Sequence, residues 1–397
     1  MVGAGPVRVG IVGCGNIAGK YAEDLARYPA IDFLGVADID PARAVELADG
    51  YGVRPYGSVE DLLADPGIEV VVNLTSHHAH RDVTGRALEA GKHVHSEKPM
   101  ALTVGEAAEL VELAERKGLR LSCAPATFMG EAQQTLMKAV REGRAGTVRV
   151  VYAEANWGTI EVWHPAPQSF YDVGALFDVG VYPLSIATAL FGPVRRVAAH
   201  GRVVKPHRVA VSGTRFTVVT PDFVTAVLDL DGGEVLRLTA TFYVGHSSRQ
   251  FGMEFHGDDG SLAIDSWQEF DTPVTYTPRA GRPEPVPYVR EPYQGIEWGR
   301  SVLDLATAIR EDRPHRASAR QAAHIVEILA ATRRAYETGE QVELRTDFEP
   351  PAPMEWARSP DGPAPDRRTA GDRPLTDEAP EQARDEARDE AREGPRS

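Results

Sequence analysis

Glu97, Lys98 and Pro99 stand in a row at the end of a short strand pattern, in "GKHVHSEKPMAL" at residues 91–102. Pro99 has no backbone N–H and restricts the residue before it to extended geometry, so the lysine is fixed where the chain leaves a sheet. A lysine held this way is either half of an ion pair with Glu97 or an ammonium aimed into a cleft. In a cleft it can steady negative charge on a reacting oxygen. A second group precedes it. Gly13-Cys14-Gly15-Asn16-Ile17-Ala18 follows an apolar strand pattern and opens a helical one. Gly13 permits the tight turn, Gly15 lets a pyrophosphate approach the backbone, and Ala18 allows close helix–strand packing. Asn16 and Ile17 begin the helix whose unpaired N–H groups face the phosphates.

Asp38 ends the next strand pattern, 20 residues after Ala18. A carboxylate there binds the ribose hydroxyls and repels a 2′-phosphate, so NAD is expected ahead of NADP. Arg43, just beyond it, keeps dual use open. Thr75 closes the continuous apolar run "IEVVVNLT", which reads as a strand buried on both faces and ending where a dinucleotide crosses the sheet. His77, His78 and His80 follow it. They lack a carboxylate–histidine pattern of zinc spacing, so no metal is expected, and His80 is placed beside the cofactor.

These groups need a scaffold. Residues 7–123 alternate strand and helix patterns, which implies a parallel, doubly wound sheet. Asp40-Pro41 reads as an N-cap and first-turn proline, Gly91 as a C-cap, and Thr103 with Glu106 as a capping box. Residues 124–345 read differently. Helices are expected near 131–142, 179–190, 297–311 and 318–338. Between them lie closely spaced strands, with Gly232-Gly233 as a hairpin turn, which suggests an antiparallel sheet. The fold class is therefore α/β. A dinucleotide-binding Rossmann domain spans 1–124, and a substrate-binding and oligomerisation domain with a large open, mainly antiparallel sheet spans 125–349. An acidic, proline-rich tail at 350–397 is expected to be disordered.

The chain has 397 residues, 42% hydrophobic and 25% charged, with formal net charge −15. Residues 350–397 carry 12 acidic residues against 8 arginines, so the rest is acidic in its own right. That balance argues against nucleic acid or an anionic membrane as partner. No apolar run approaches the roughly 20 residues of a membrane span, and the N-terminus does not read as a signal peptide. Cys14 and Cys123 alone cannot build a disulfide framework, which suits a reducing cytoplasm.

"GCGNIA", "AGKHVHSEKPMALT" and a downstream "GALFDVGVYPL" together resemble the Gfo/Idh/MocA family of sugar and polyol oxidoreductases, over about residues 7–345. The resemblance implies a dinucleotide-binding domain followed by an α/β domain whose open sheet face makes dimers or tetramers. Many members carry Asp-x-x-x-His on the first long helix of the second domain. The matching positions here are Asp178 and Tyr182, as in the branch that includes dihydrodiol dehydrogenases and glucose–fructose oxidoreductase. There tyrosine holds the acid/base place.

The resemblance implies hydride transfer between the nicotinamide and a secondary alcohol or ketone of a sugar, glycoside or polyol. Tyr182 would be the acid/base group. Lys98 would lower its pKa, since an adjacent ammonium favours the phenolate. Asp178 would orient Lys98 or hold a second hydroxyl, and Glu97 would position the segment on the nicotinamide side. "VWHPAPQSFYDVGALFD" and "CAPATFMGEAQQ" resemble a sugar- or glycoside-directed subgroup. They offer Trp163, His164, Phe170 and Tyr171 as pocket residues, with Thr127, Gln133 and His246 as weaker candidates. Two other readings stand beside this one. One is a glycosidase that oxidises its sugar transiently and restores the NAD; the other is a non-catalytic NAD-binding sensor.

Overall fold

The structure is a computed structural model that describes residues 5–245 and 248–359. The N-terminal part is a six-stranded sheet of β1 (Val7–Val12), β2 (Ile31–Ala37), β3 (Arg54–Pro55), β4 (Val70–Asn73), β5 (His93–Ser96) and β6 (Leu121–Cys123). Its order is β3-β2-β1-β4-β5-β6 and every pairing is parallel. The crossovers carry α1 (Ala18–Arg27), α2 (Pro41–Tyr51), α3 (Val59–Ala64), α4 (His80–Glu89) and α5 (Val104–Arg116). The strand order reverses between β1 and β4, which opens the crevice beyond their carboxyl ends where such sheets take ligands. β4 is buried along its whole length, as a strand covered on both faces must be. The local punctuation follows the residue types. Asp40 accepts from the Ala42 amide to cap α2, Thr103 and Glu106 form the capping box of α5, and Gly91 takes φ +79° after α4.

The second part contributes α6 (Glu131–Arg141), β7 (Val148–Asn156), α7 (Gln168–Val173), a π-helical turn at Leu176–Gly180 and α8 (Val181–Phe191). Then come β8 (Val194–Arg202), β9 (His207–Val209), β10 (Arg215–Thr217), β11 (Phe223–Leu230), β12 (Val235–Thr241), β13 (Gly252–Gly257), β14 (Gly260–Ile264), β15 (Val274–Pro278) and β16 (Glu284–Pro285). The chain continues through α9 (Arg300–Glu311), α10 (Ala319–Thr338) and β17 (Val342–Glu343). The large sheet runs β16-β15-β14-β13-β7-β12-β11-β8-β17. It is antiparallel except at β7–β12. The side chains under α6, α8 and α10 form one continuous core. On the opposite face Val227, Arg237, Tyr152 and Glu254 lie side by side across four strands, and none of them is buried.

The C-terminal helices return to the first sheet. Val302, Leu305 and Ala306 of α9 pack among β1, β4 and α1. α10 has two apolar faces. Ala319, Ala322, Ala323 and Val326 join the core around α4 and α5, while Ile325, Ile328 and Leu329 join the core of the large sheet.

Three expectations need correction. Not every strand of the second part joins the large sheet; β9 and β10 form a separate two-stranded hairpin. The helix expected from 179 is preceded by the π turn, which inserts extra backbone ahead of Tyr182. Residues 350–359, placed in the tail, are packed: Arg316 donates to the carbonyls of Ala352 and Pro353 at 3.0 Å, and the Met354 amide donates to Gln134. Residues 360–397 lie outside the described ones.

Candidate active site

The turn after β1 has the form a dinucleotide requires. Gly13 has φ +98°, and a Cβ there would sit 2.7 Å from the Leu74 and Thr75 backbone, so only glycine lets β1 and β4 end side by side. At Gly15 the reason differs. No protein atom lies within 4 Å of a Cβ built there, so neighbours do not demand glycine, and the exposed turn leaves room for a phosphate. Asn16 is exposed, Ile17 is half-buried, and no side chain caps the first turn of α1, which leaves its amides available to an anion. Asp38, at the end of β2, accepts from the Cys14 amide at 2.6 Å and the Asp40 amide at 2.8 Å. Its carboxylate thus braces the glycine turn, and each oxygen keeps acceptor capacity for a hydroxyl. These residues fit a nicotinamide dinucleotide.

The Glu-Lys-Pro step lies at the end of β5, and the Lys98–Pro99 bond is cis. Lys98 Nζ donates to Asp178 Oδ1 at 2.7 Å and to the Asp178 carbonyl at 2.6 Å, and sits 5.3 Å from the centre of the Tyr182 ring. Asp178 belongs to the π turn and Tyr182 to the first turn of α8, so one locally widened helix delivers both groups to the lysine. The Tyr182 ring also packs against Trp267, 4.9 Å between centroids.

The electrostatics differ from the expectation in one respect. Burial pulls the Lys98 ammonium down, but the charges of Asp178, Tyr182 and Glu97 outweigh this and leave it above its ordinary value. For Tyr182 burial dominates. Lys98 lowers its pKa, Glu97 and Asp178 raise it, and the phenol is pushed up to about 12. The lysine therefore moderates a raised pKa and does not bring the phenol below 10.

Glu97 is clamped at both oxygens. Tyr21 donates its hydroxyl proton to Oε1 at 2.8 Å, and the Lys98 amide donates to Oε2 at 3.0 Å. His80 is buried with both ring nitrogens against carbonyls, Pro99 O at 2.8 Å and Thr75 O at 3.0 Å. A neutral ring donates to only one of the two carbonyls, whichever tautomer it takes. Thr75 is half-buried, with its amide and hydroxyl both on Asn73 Oδ1. At His77, burial and then the Lys98 charge push the imidazole down to about 4. Among the described residues, no cluster of three or more His, Cys, Asp or Glu is arranged to hold a metal.

A small cavity of about 30 Å³ opens beside Tyr182 and Glu97, walled also by Thr127, Phe270, Glu297 and Trp298. Thr127, which lines this cavity, is buried and its Oγ1 has no hydrogen-bond partner. The other candidates are distributed differently. Trp163 is 52% exposed and stacks edge-on with His164 and Phe170. Tyr171 is not a pocket residue: its hydroxyl donates to Glu161 and accepts from Arg208 at 2.8 Å and the Ile160 amide at 3.2 Å. Gln133 is buried, donating to the Glu269 carbonyl at 2.9 Å. His246 lies outside the described residues.

Two features escaped the sequence. Tyr21 reads as one more apolar position on α1, and only the fold brings it to Glu97. Glu297 and Trp298 precede a helix start with no motif of their own. The adjacent acid and aromatic just before α9 are the only signal they offered.

A family model described as an oxidoreductase family with an NAD-binding Rossmann fold matches residues 7–124. The model of the GFO/IDH/MocA C-terminal domain matches residues 133–263. Trans-1,2-dihydrobenzene-1,2-diol dehydrogenase of Bos taurus is 33% identical over 230 residues, 57% of this chain and 65% of the relative. An uncharacterised oxidoreductase of Rhizobium meliloti is 36% identical over 191 residues, 47% of this chain and 56% of the relative. The matched stretch thus spans less than two thirds of either. Among solved structures, an NAD-binding oxidoreductase from Klebsiella pneumoniae has a TM-score of 0.76 at 21% identity, covering 86% of this chain and all of its own. An aldose–aldose oxidoreductase from Caulobacter crescentus has a TM-score of 0.74 at 21% identity, covering 85% of this chain and 100% of its own. At that identity the likeness is one of fold.

Proposed function

The chain belongs to the Gfo/Idh/MocA oxidoreductase family, and from that premise we propose that it transfers hydride between a nicotinamide dinucleotide and a secondary alcohol or ketone of a sugar, glycoside or polyol. The observation that carries this reading is the Lys98 ammonium, paired to Asp178 and set against the Tyr182 ring. Held by the Gly13–Gly15 turn and Asp38, a nicotinamide dinucleotide would supply the hydride for reduction and accept it in oxidation. The protein handles the proton. In reduction Tyr182, protonated across the neutral range, gives its hydroxyl proton to the substrate oxygen. Lys98 then stabilises the phenolate left behind, and Asp178 keeps Lys98 charged and in place. In oxidation the same proton returns from the substrate hydroxyl to the phenolate.

Asp38 supports NAD over NADP, because a buried carboxylate that already braces the turn repels a 2′-phosphate. Thr127, with its unpaired hydroxyl oxygen beside Tyr182, is the proposed partner of a substrate hydroxyl. Trp163 and His164 are proposed to reach the outer part of a larger, sugar-like substrate. The dihydrodiol and aldose named among the relatives share a carbon frame with adjacent hydroxyls, and that is the substrate class proposed here. The exposed face of the large sheet is proposed to meet a second copy. Light scattering that returns a monomer mass overturns that part alone.

The decisive test is a panel of sugars, polyols, glycosides and cyclic diols with NAD and with NADP, followed at the NADH absorbance band. NADH formed in step with product supports hydride transfer. Glycoside cleavage with no NADH accumulation supports the transient-oxidation glycosidase. NAD binding without turnover across the panel supports the sensor.

A further inference from the structure

Tyr21 is almost fully buried on α1, where it meets the end of β5. Its hydroxyl is the only side-chain donor to Glu97 among the described residues, at 2.8 Å from Oε1. Behind it stands His95, which is wholly buried, with Nε2 3.4 Å from the Tyr21 oxygen and 3.3 Å from Ser301 Oγ, and Nδ1 3.0 Å from Ser122 Oγ. The protons can be counted along this row. A carboxylate only accepts, so the single Tyr21 proton goes to Glu97. His95 can then engage Tyr21 only by donating Nε2–H, and Nδ1 is left to accept from Ser122. Burial pushes His95 down to about 3, so the row stays neutral. Tyr21, Glu97 and Tyr182 also wall the same cavity.

We propose, resting on the hydride-transfer reading above, that Tyr21 is a positioning residue which acts through Glu97: with the Lys98 amide it fixes both carboxylate oxygens, and so holds a negative charge and the Glu-Lys-Pro step in place at the nicotinamide pocket. Without the hydroxyl, Oε1 loses the only side-chain donor to Glu97 among the described residues, while Oε2 keeps the Lys98 amide. A buried carboxylate oxygen left without a donor is destabilised, and the carboxylate is then held at one oxygen only.

Tyr21→Phe removes one oxygen and keeps the ring, which lies 6.0 Å from His95 and 6.3 Å from Trp298, so the fold has little reason to fail. The measurement is NADH affinity by fluorescence titration of the full chain for the unaltered protein, Tyr21→Phe, Glu97→Gln and the double variant, with turnover measured alongside. Loss of a donor to a charged group predicts NADH binding weaker by about tenfold in each single variant. Because one residue acts through the other, the double variant should be no weaker than Glu97→Gln alone. A merely structural Tyr21 would add its effect to that of Glu97→Gln. Equal NADH affinity of Tyr21→Phe and the unaltered protein, or multiplying effects in the double variant, overturns this inference and leaves the proposed function standing. No NADH binding by the unaltered protein overturns both.

Discussion

Lys98 holds Asp178 twice, by its carboxylate at 2.7 Å and by its main-chain carbonyl at 2.6 Å. Two acceptors from one residue fix the ammonium in direction as well as charge. This ties the end of the parallel sheet to the helix that carries Tyr182. Replacing Lys98 by Met should lower kcat by about 10³-fold or more while NADH binding persists. Near-normal turnover would refute the assignment. Asp178→Asn keeps the carbonyl contact and removes the charge, so the ammonium should deprotonate at lower pH. The alkaline fall in kcat should move toward neutrality.

Tyr182 sets different pH dependences for the two directions. With the phenol pushed up to about 12, it remains an acid through the neutral range, so carbonyl reduction should be nearly flat from about pH 6 to 9. Alcohol oxidation needs the phenolate and should accelerate as pH rises over the same range. Tyr182→Phe should abolish both dependences and lower kcat by about 10²-fold or more. An oxidation rate that falls with rising pH would count against this tyrosine as the base.

Asp38 does two jobs, so its replacement should have two consequences. Asp38→Ser removes the charge that repels a 2′-phosphate and also releases the Cys14 and Asp40 amides. The ratio of kcat/KM for NADP to that for NAD should rise by about tenfold, while affinity for both falls. An unchanged ratio would show that the carboxylate does not discriminate.

His324 predicts sensitivity to acid. Its Nε2 accepts from the Val194 amide at 2.8 Å, which requires the neutral ring, and burial pushes it down to about 4 against an ordinary 6.5. The folded state thus binds the proton less readily than the unfolded chain. Stability is intact above about pH 6.5, falls as pH drops toward 4 and levels off below it, by about 3 kcal/mol for this group. Thermal unfolding from pH 8 to 4 should show the decline. His324→Gln should flatten it in part.

Arg208 anchors the segment that carries Trp163 and His164. It donates to Glu161 and Tyr171 at 2.8 Å and pairs with Asp222, all of them buried. Removing one member of such a cluster leaves uncompensated charge, so Arg208→Met should destabilise the fold by about 3–5 kcal/mol. Denaturant unfolding measures this directly, and a change below about 1 kcal/mol would contradict it.

What could be read from sequence alone depended on distance along the chain. The turn at Gly13 and Gly15, the cap at Asp40-Pro41 and the box at Thr103–Glu106 are short-range signals whose physics is local, and each takes the form expected. The strands of both sheets were legible for the same reason. Tyr171 reads as a pocket residue because its partner Arg208 comes from a hairpin further down the chain. The π turn was invisible because an Asp178–Tyr182 spacing looks the same on paper whatever the helix pitch. Tyr21 and His95 have core-like positions, and only the packing of α1 on β5 turns them into a polar row.

The two-faced helix α10 constrains how this chain can be cut. With α9, it closes apolar surfaces that residues 1–124 build but do not cover. A fragment ending at residue 124 would expose those surfaces and aggregate. The halves should therefore melt together in a single calorimetric transition, and a recombinant dinucleotide-binding module would need the last two helices grafted back onto it.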